Sequence, residues 1–210
     1  MSFNYLFFGL ALCVLIWISW RFASYRWVLP CPVWLHRLLE YDNPLTRANQ
    51  TNVILSNLAL APGMNVLDAG CGPGRLTIPL AKKIGAQGRV TALDIQAGML
   101  QKVQEKAKRE GIHTIQLLQA GLGDGKLGHN QYDRALLVTV LGEIPHQKAA
   151  MQELFDALKP GGLVVVTESM FDPHFQSQST VLRLAQEIGF RKKGVMGNRL
   201  AYSLQLEKPH

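Results

Sequence analysis

The sequence predicts an α/β fold in which a mostly parallel sheet is wrapped by helices. Three observations predict it. From residue 63 onward, short apolar runs of strand length alternate with longer segments of helical character. The first run leads into Asp68-Ala69-Gly70-Cys71-Gly72-Pro73-Gly74, an acid followed by a glycine-rich turn. The second run, Val90-Thr91-Ala92-Leu93-Asp94, again ends in an acid.

The elements follow in order. Pro30 and Pro32 break any helix arriving from the amino terminus. Residues 33–41 read as a short amphipathic helix. Asn43-Pro44 starts another, with Pro44 at its first position. That helix runs over 46–60 with Val53, Ile54, Leu58 and Leu60 as its apolar residues, and Pro62-Gly63 ends it. Strands are expected at 65–69, 89–94, near 114–119, at 134–139 and at 162–168. Helices are expected at 75–84, 97–110, 146–158 and 180–188. Two final strands, 191–196 and 200–206, fit an antiparallel edge hairpin turning at Gly197-Asn198.

The glycine-rich turn reports a bound nucleoside. Glycines let a backbone approach a ligand closely and adopt dihedrals that other residues avoid. The helix after them offers free N–H groups to a polar ligand. An acid at the end of the next strand takes the hydroxyls of a ribose. A nicotinamide-type fingerprint is excluded, because its third glycine would fall on Arg75, where a side chain obstructs close helix–strand contact.

The segment from Phe3 to Trp20 reads FNYLFFGLALCVLIWISW and contains no charge. As a helix it would reach roughly 27 Å, close to the thickness of a bilayer core. Trp17, Trp20, Tyr25, Trp27 and Trp34 cluster toward its carboxyl end, followed by Arg21, Arg26 and Arg37. That order places the following domain on the cytoplasmic side. A cleaved signal peptide would carry positive charge before the apolar run, and a helix lying flat on the membrane would need a polar face. The expectation is a single-pass anchor over 1–29, a helical lid or linker over 30–62, and a ligand-binding domain over 63–210.

The chain has 210 residues and a net charge of +7. That surface favours anionic partners, and with no basic run interleaved with aromatics a membrane is expected rather than nucleic acid. Three cysteines, Cys13, Cys31 and Cys71, give no disulfide framework and suit a reducing compartment. None has metal-ligand spacing, and no metal is expected.

The turn with Asp68, Gly70, Gly72 and Gly74 resembles the first motif of class I S-adenosylmethionine-dependent methyltransferases. Asp94 resembles that family's ribose-binding acid, Tyr132-Asp133-Arg134-Ala135-Leu136-Leu137-Val138 its fourth strand, and Leu158-Lys159-Pro160-Gly161-Gly162 the turn before its fifth. The last stretch is similar to methyltransferases of the ubiquinone and menaquinone biosynthesis type. The resemblance covers about residues 45 to 207. It implies a Rossmann-like, seven-stranded sheet with an antiparallel edge hairpin and S-adenosylmethionine as cofactor. It also implies that Asp68, Gly70, Gly72 and Gly74 line the methionine part, that Asp94 holds the ribose, and that Ile95 packs on the adenine. Where many relatives carry an acid near the adenine amino group, this chain has Ala120 and Gly121, with Asp124 beyond; backbone groups at Ala120 and Gly121 are assigned there. Val138 and Thr139 face the cofactor.

The methyl donor is already an activated electrophile, so positioning matters more than a strong catalyst, and a base is needed only if the nucleophile carries a proton. The candidates follow strands four and five: Glu143, His146, Asp172 and His174, with Glu168 beside them. The expected acceptor is a lipophilic small molecule, such as a quinone precursor or a phospholipid. Two alternatives stand: methylation of a membrane-associated protein, and a non-catalytic S-adenosylmethionine-binding scaffold.

Overall fold

Seven strands form one sheet in the order β3-β2-β1-β4-β5-β7-β6. The structure, a computed structural model, describes residues 8, 9, 11, 12, 15, 16, 18, 19, 22, 23, 33, 40–42 and 46–210. The strands are β1 Asn65–Ala69, β2 Arg89–Asp94, β3 Ile115–Gln119, β4 Tyr132–Val138, β5 Leu158–Ser169, β6 Arg191–Gly197 and β7 Ala201–Glu207. Only β7 runs against the others, pairing antiparallel with both β5 and β6. Reversal of strand order between β1 and β4 makes a crevice at the carboxyl ends of the strands, where ligands bind in open α/β sheets.

Among the described residues from 46 onward, five α-helices accompany the sheet: α1 Thr51–Asn57, α2 Thr77–Ile84, α3 Ala97–Arg109, α4 Gln147–Ala157 and α5 Gln178–Ile188. On one face Ile54, Leu55 and Leu58 from the α1 region pack with Leu80 and Ile84 of α2 against Val66, Val90, Leu136 and Val165 of the sheet. On the other, Met151 and Leu154 of α4 and Val181 and Ala185 of α5 pack against Leu67, Leu137, Val164 and Leu204. Each fully buried aliphatic side chain contributes about 1.5–3 kcal/mol, so these two layers fix how the strand ends lie relative to one another. At the end of α5, Gly189 takes a left-handed φ of 117° and its N–H donates to the Ala185 carbonyl.

Two expectations are corrected. The helix expected over 46–60 is divided. A 3-10 turn, Arg47–Asn49, is followed by Gln50 in an extended conformation, and α1 then starts at Thr51. The cause lies nine residues upstream. Asp42 accepts the Thr51 N–H at 3.0 Å and the Thr51 hydroxyl at 2.8 Å, capping α1 from a distance. The stretch from Leu158 to Gly162, expected as a turn, already belongs to β5: Leu158 lies opposite Tyr132, and a register shift then follows between Tyr132 and Arg134. Gly161 and Gly162 tie this bulge to Lys208 through paired backbone bonds of 2.8 and 2.9 Å.

The described residues between 8 and 23 are helical. Among the described residues no helix is long and apolar enough to cross a membrane. Most of the expected anchor, the expected helix over 33–41 and the helix start at Pro44 lie outside the described residues.

Candidate active site

The turn after β1 is held by the strand next to it. The N–H groups of Gly70 and Cys71 both donate to the Leu93 carbonyl, at 2.8 and 2.9 Å. The Gly72 N–H donates to Asp94 Oδ2 at 2.9 Å, and the Gln96 N–H to Asp94 Oδ1 at 2.9 Å. Asp94 thus joins the two turns it sits between. Each of its oxygens keeps a lone pair beyond these bonds for a ligand hydroxyl. Burial raises the Asp94 carboxyl above its ordinary value, and the two backbone bonds pull it back.

The glycines do different work. Gly70, at φ 73°, lies so close to the Val140 side chain that a Cβ would collide with it. Gly72 has φ 52° and a Cβ there would meet nothing within 4 Å. Gly70 therefore seats the turn against the end of β4, and Gly72 is where the backbone faces open space. This is a cradle that suits close approach of a nucleoside-bearing cofactor.

Asp68, 3% exposed, accepts the Thr77 hydroxyl at 2.6 Å. Burial pushes its carboxyl up to about 6, while Thr77 and the Arg75 guanidinium oppose the shift. Ile95 is 62% exposed and caps the crevice beyond Asp94. The Ala120 N–H donates to the Asp94 carbonyl at 3.2 Å. The Gly121 N–H is taken by Asp124 Oδ2 at 2.8 Å, so the acid displaced along the sequence returns to this corner through a turn. At the end of β4, Thr139 adopts a φ of 52°. A β-branched residue in that region is strained, and it is fixed by Thr139 N–H donating to Thr167 at 2.8 Å. Val138, half-buried, stands beside it.

Facing this cofactor side is a group of carboxyls from three segments. Glu143 closes a 3-10 turn, Leu141–Glu143, after β4. Glu168 lies near the end of β5, and Asp172 and His174 on the loop between β5 and α5. His174 Nδ1 is 3.8 Å from Glu143 Oε1 and 3.9 Å from Asp172 Oδ1. The His174 N–H donates to Asp172 Oδ1 at 2.7 Å, and Gly142 packs so tightly on the His174 backbone that no side chain fits there. Burial, with Asp172 and then Asp94 adding repulsion, pushes Glu143 up to about 8.

Glu168 is 1% exposed. Its Oε2 accepts the Gln176 N–H at 3.1 Å, while Oε1 has no hydrogen-bond partner among the described residues. Burial pushes this carboxyl up to about 8, with Asp172 and Glu143 adding to the shift. Tyr202, opposite Glu168 on β7, donates its hydroxyl to the Gln176 carbonyl at 2.8 Å. Glu168 and Tyr202 together pin the loop that carries Asp172 and His174.

The structure therefore brings Glu143, Asp172 and His174 together, with Glu168 behind them. His146 departs from the expectation. It is exposed at the start of α4 and takes the N-cap position, its carbonyl accepting the Ala150 N–H at 3.1 Å.

Four supports surround the site; sequence reasoning named Asp124 among them and missed the other three. Thr77 satisfies Asp68. Arg75 reaches Asp42 Oδ1 at 2.7 Å, the Asn49 carbonyl at 2.8 Å and Asn49 Oδ1 at 3.0 Å, tying the segment before α1 to the glycine turn. Lys106 of α3 donates to the Pro73 carbonyl at 2.7 Å and pairs with Glu40 at 3.0 Å. Asp124 covers Gly121. Among the missed three, only Arg75 carried a signal, since it occupies a position where a dinucleotide turn requires glycine.

Residues 66–162 match the family model described as a methyltransferase domain. The demethylmenaquinone methyltransferase of Listeria welshimeri is 33% identical over 100 residues, covering 48% of this chain and 42% of that protein. That of Desulfitobacterium hafniense is 34% identical over 105 residues, covering 50% and 42%. The chain thus spans less than half the length of these relatives. A solved S-adenosylmethionine-dependent methyltransferase from Aquifex aeolicus aligns with a TM-score of 0.75 over 85% of this chain and 99% of that one, at 20% identity, and so shares the fold. The glycine turn and its paired acid fall in the matched part of the chain: residues 66–162 match a methyltransferase domain and lie on a Rossmann-like sheet.

Proposed function

We infer that this chain transfers a methyl group from S-adenosylmethionine to a lipophilic small molecule of the quinone-precursor class at a membrane surface. The observation that carries the reading is the pairing, at the carboxyl ends of the strands, of the open cradle at Gly72 and Asp94 with half-buried Glu143 and buried Glu168. S-adenosylmethionine supplies an electrophilic methyl group. The chain's own residues do the rest. Asp94 and Ile95 hold the nucleoside, while Asp68 and the glycine turn hold the amino-acid end. Glu143, with a carboxyl poised near neutrality, takes the proton of an acceptor hydroxyl. His174 lies beside it, its Nδ1 3.8 Å from Glu143 Oε1.

The quinone-type acceptor rests on the activity named for the two relatives above. An apolar acceptor also accords with the uncharged stretch from Phe3 to Trp20, which holds the domain at a membrane on its cytoplasmic side. The test is label transfer from methyl-labelled S-adenosylmethionine into host membranes by the full chain, with organic and protein phases counted separately. Label in the organic phase is expected. Label confined to the protein phase would replace this reading with methylation of a membrane protein. Cofactor binding without label in either phase would favour a scaffold.

A further inference from the structure

The two residues that flank Gly74 are both held from outside the cradle. Lys106, on α3, donates to the Pro73 carbonyl at 2.7 Å and pairs with Glu40 at 3.0 Å. Arg75 donates to Asp42 Oδ1 at 2.7 Å, to the Asn49 carbonyl at 2.8 Å and to Asn49 Oδ1 at 3.0 Å. Gly74 itself, at φ 87°, lies against α3, where a Cβ would meet Val103 Cγ2 at 3.1 Å. Three successive residues of the glycine turn are therefore fastened, while a Cβ at Gly72 would still meet nothing within 4 Å.

Ordinary surface ion pairs contribute little, because water screens both partners. Here the cations are shielded. The side chains of Arg75 and Lys106 are 14% and 17% exposed, against 38% and 33% for Asp42 and Glu40. A cation withdrawn from water depends on its partners, since losing one leaves a charge that water reaches poorly. The charge of Arg75 also acts inward, opposing the rise of the Asp68 carboxyl. Asp42 serves two elements at once. It accepts Arg75, and it accepts the N–H and the hydroxyl of Thr51, where α1 begins. One carboxylate thus ties the first turn of α1 to the glycine turn. Position 75, where a dinucleotide turn carries glycine for close helix–strand contact, here supplies a side chain that reaches out to the chain before α1.

We propose that Glu40, Asp42, Asn49, Arg75 and Lys106 are positioning residues for the cofactor, a clamp that sets the shape of the glycine turn from outside. This rests on the reading of S-adenosylmethionine as the ligand of that turn. Gly70, Gly72 and Gly74 have φ of 73°, 52° and 87°, so the turn has little restraint of its own and a loose turn would have to be ordered at each binding event. Holding Pro73 and Arg75 removes part of that ordering before the ligand arrives. The coupling is reciprocal: a clamp that tightens the cofactor is itself tightened by the cofactor, by the same factor.

The test is calorimetry of S-adenosylmethionine with the full chain in detergent and with its Glu40→Gln/Asp42→Asn double variant. Asparagine at position 42 keeps an oxygen for the Thr51 N–H, so α1 keeps its cap, and neither position belongs to the cradle. The double variant is expected to bind about tenfold more weakly with its circular dichroism spectrum unchanged. Thr51→Val removes the hydroxyl bond to Asp42 but leaves Arg75 paired, and is expected to bind like the parent. A second measurement needs no variant: hydrogen exchange at the Thr51 amide of the parent should slow when S-adenosylmethionine is added. Equal affinity of parent and double variant, or Thr51 exchange that ignores the ligand, would overturn the clamp and leave the cofactor reading in place. A loss in Thr51→Val equal to that of the double variant would assign the effect to the stability of α1 and also overturn the clamp. A parent chain that does not bind S-adenosylmethionine would overturn the cofactor reading and the clamp with it.

Discussion

The two halves of the crevice are built on opposite principles. Around β1 and β2 the two acids are answered locally. Asp94 accepts two backbone N–H groups, Asp68 accepts the Thr77 hydroxyl, and the Gly70 N–H donates to the Leu93 carbonyl. Around β4, β5 and β7 the carboxyls are crowded, buried and raised, and Glu168 Oε1 stays without a hydrogen bond among the described residues. The first half is a finished binding cradle. The second concentrates carboxyls that burial and mutual repulsion hold above their ordinary values. Satisfied groups hold a constant ligand, while perturbed ones sit where protons move.

This contrast predicts different responses to substitution. The largest effect belongs to Asp94→Ala, which removes the carboxylate proposed to hold the ribose and frees the Gly72 and Gln96 N–H groups. Hydrogen bonds to a charged group contribute about 1.5–3 kcal/mol each, so S-adenosylmethionine affinity should fall by about 100-fold or more in calorimetry. Near-normal affinity would erase the distinction between the halves. Next is Gly70→Ala, where the new Cβ collides with Val140 at a φ of 73°. A loss of about 1–3 kcal/mol is expected in urea unfolding.

On the acceptor side the signature is pH dependence. Glu168 titrates near 8 in the fold against an ordinary value of 4.5. The folded state therefore binds more protons across that window, and stability falls as pH rises through it. Glu168→Gln keeps an oxygen for the Gln176 N–H and removes the titration, so its stability should fall less steeply over the same range. An unchanged slope in unfolding free energy against pH would show that Glu168 is not raised. The smallest effect is Arg75→Ala. Freeing Asp42 and Asn49 should cost about 1–2 kcal/mol and speed proteolytic cleavage between residues 42 and 51.

The same contrast explains what could be read from sequence. The cofactor half was legible because its parts are close in the chain: an acid, a glycine turn and a second acid at the end of the next strand. Strands β1 and β2 were read to the residue, and the hairpin turn at Gly197-Asn198 to within one residue. The acceptor half was legible only as a pool of candidates. Glu143, Glu168, Asp172 and His174 meet because β5 runs beside β4 and Tyr202 of β7 pins the intervening loop, and no local pattern encodes that. His146 looked equivalent to Glu143 in sequence, but the residues are separated by the change from 3-10 turn to α4 at Pro145. The division of the helix before residue 60 followed from Asp42 capping Thr51 across nine residues, beyond the reach of helical periodicity.

The most direct test of the cradle is calorimetry of S-adenosylmethionine with the full chain and its Gly72→Arg variant. A Cβ at position 72 meets no protein atom within 4 Å, so the arginine side chain enters the space assigned to the cofactor rather than the core. The account predicts binding by the parent chain and none by a variant that retains its circular dichroism spectrum. Equal affinity in the two would contradict the placement of the cofactor over Gly72, and with it the site.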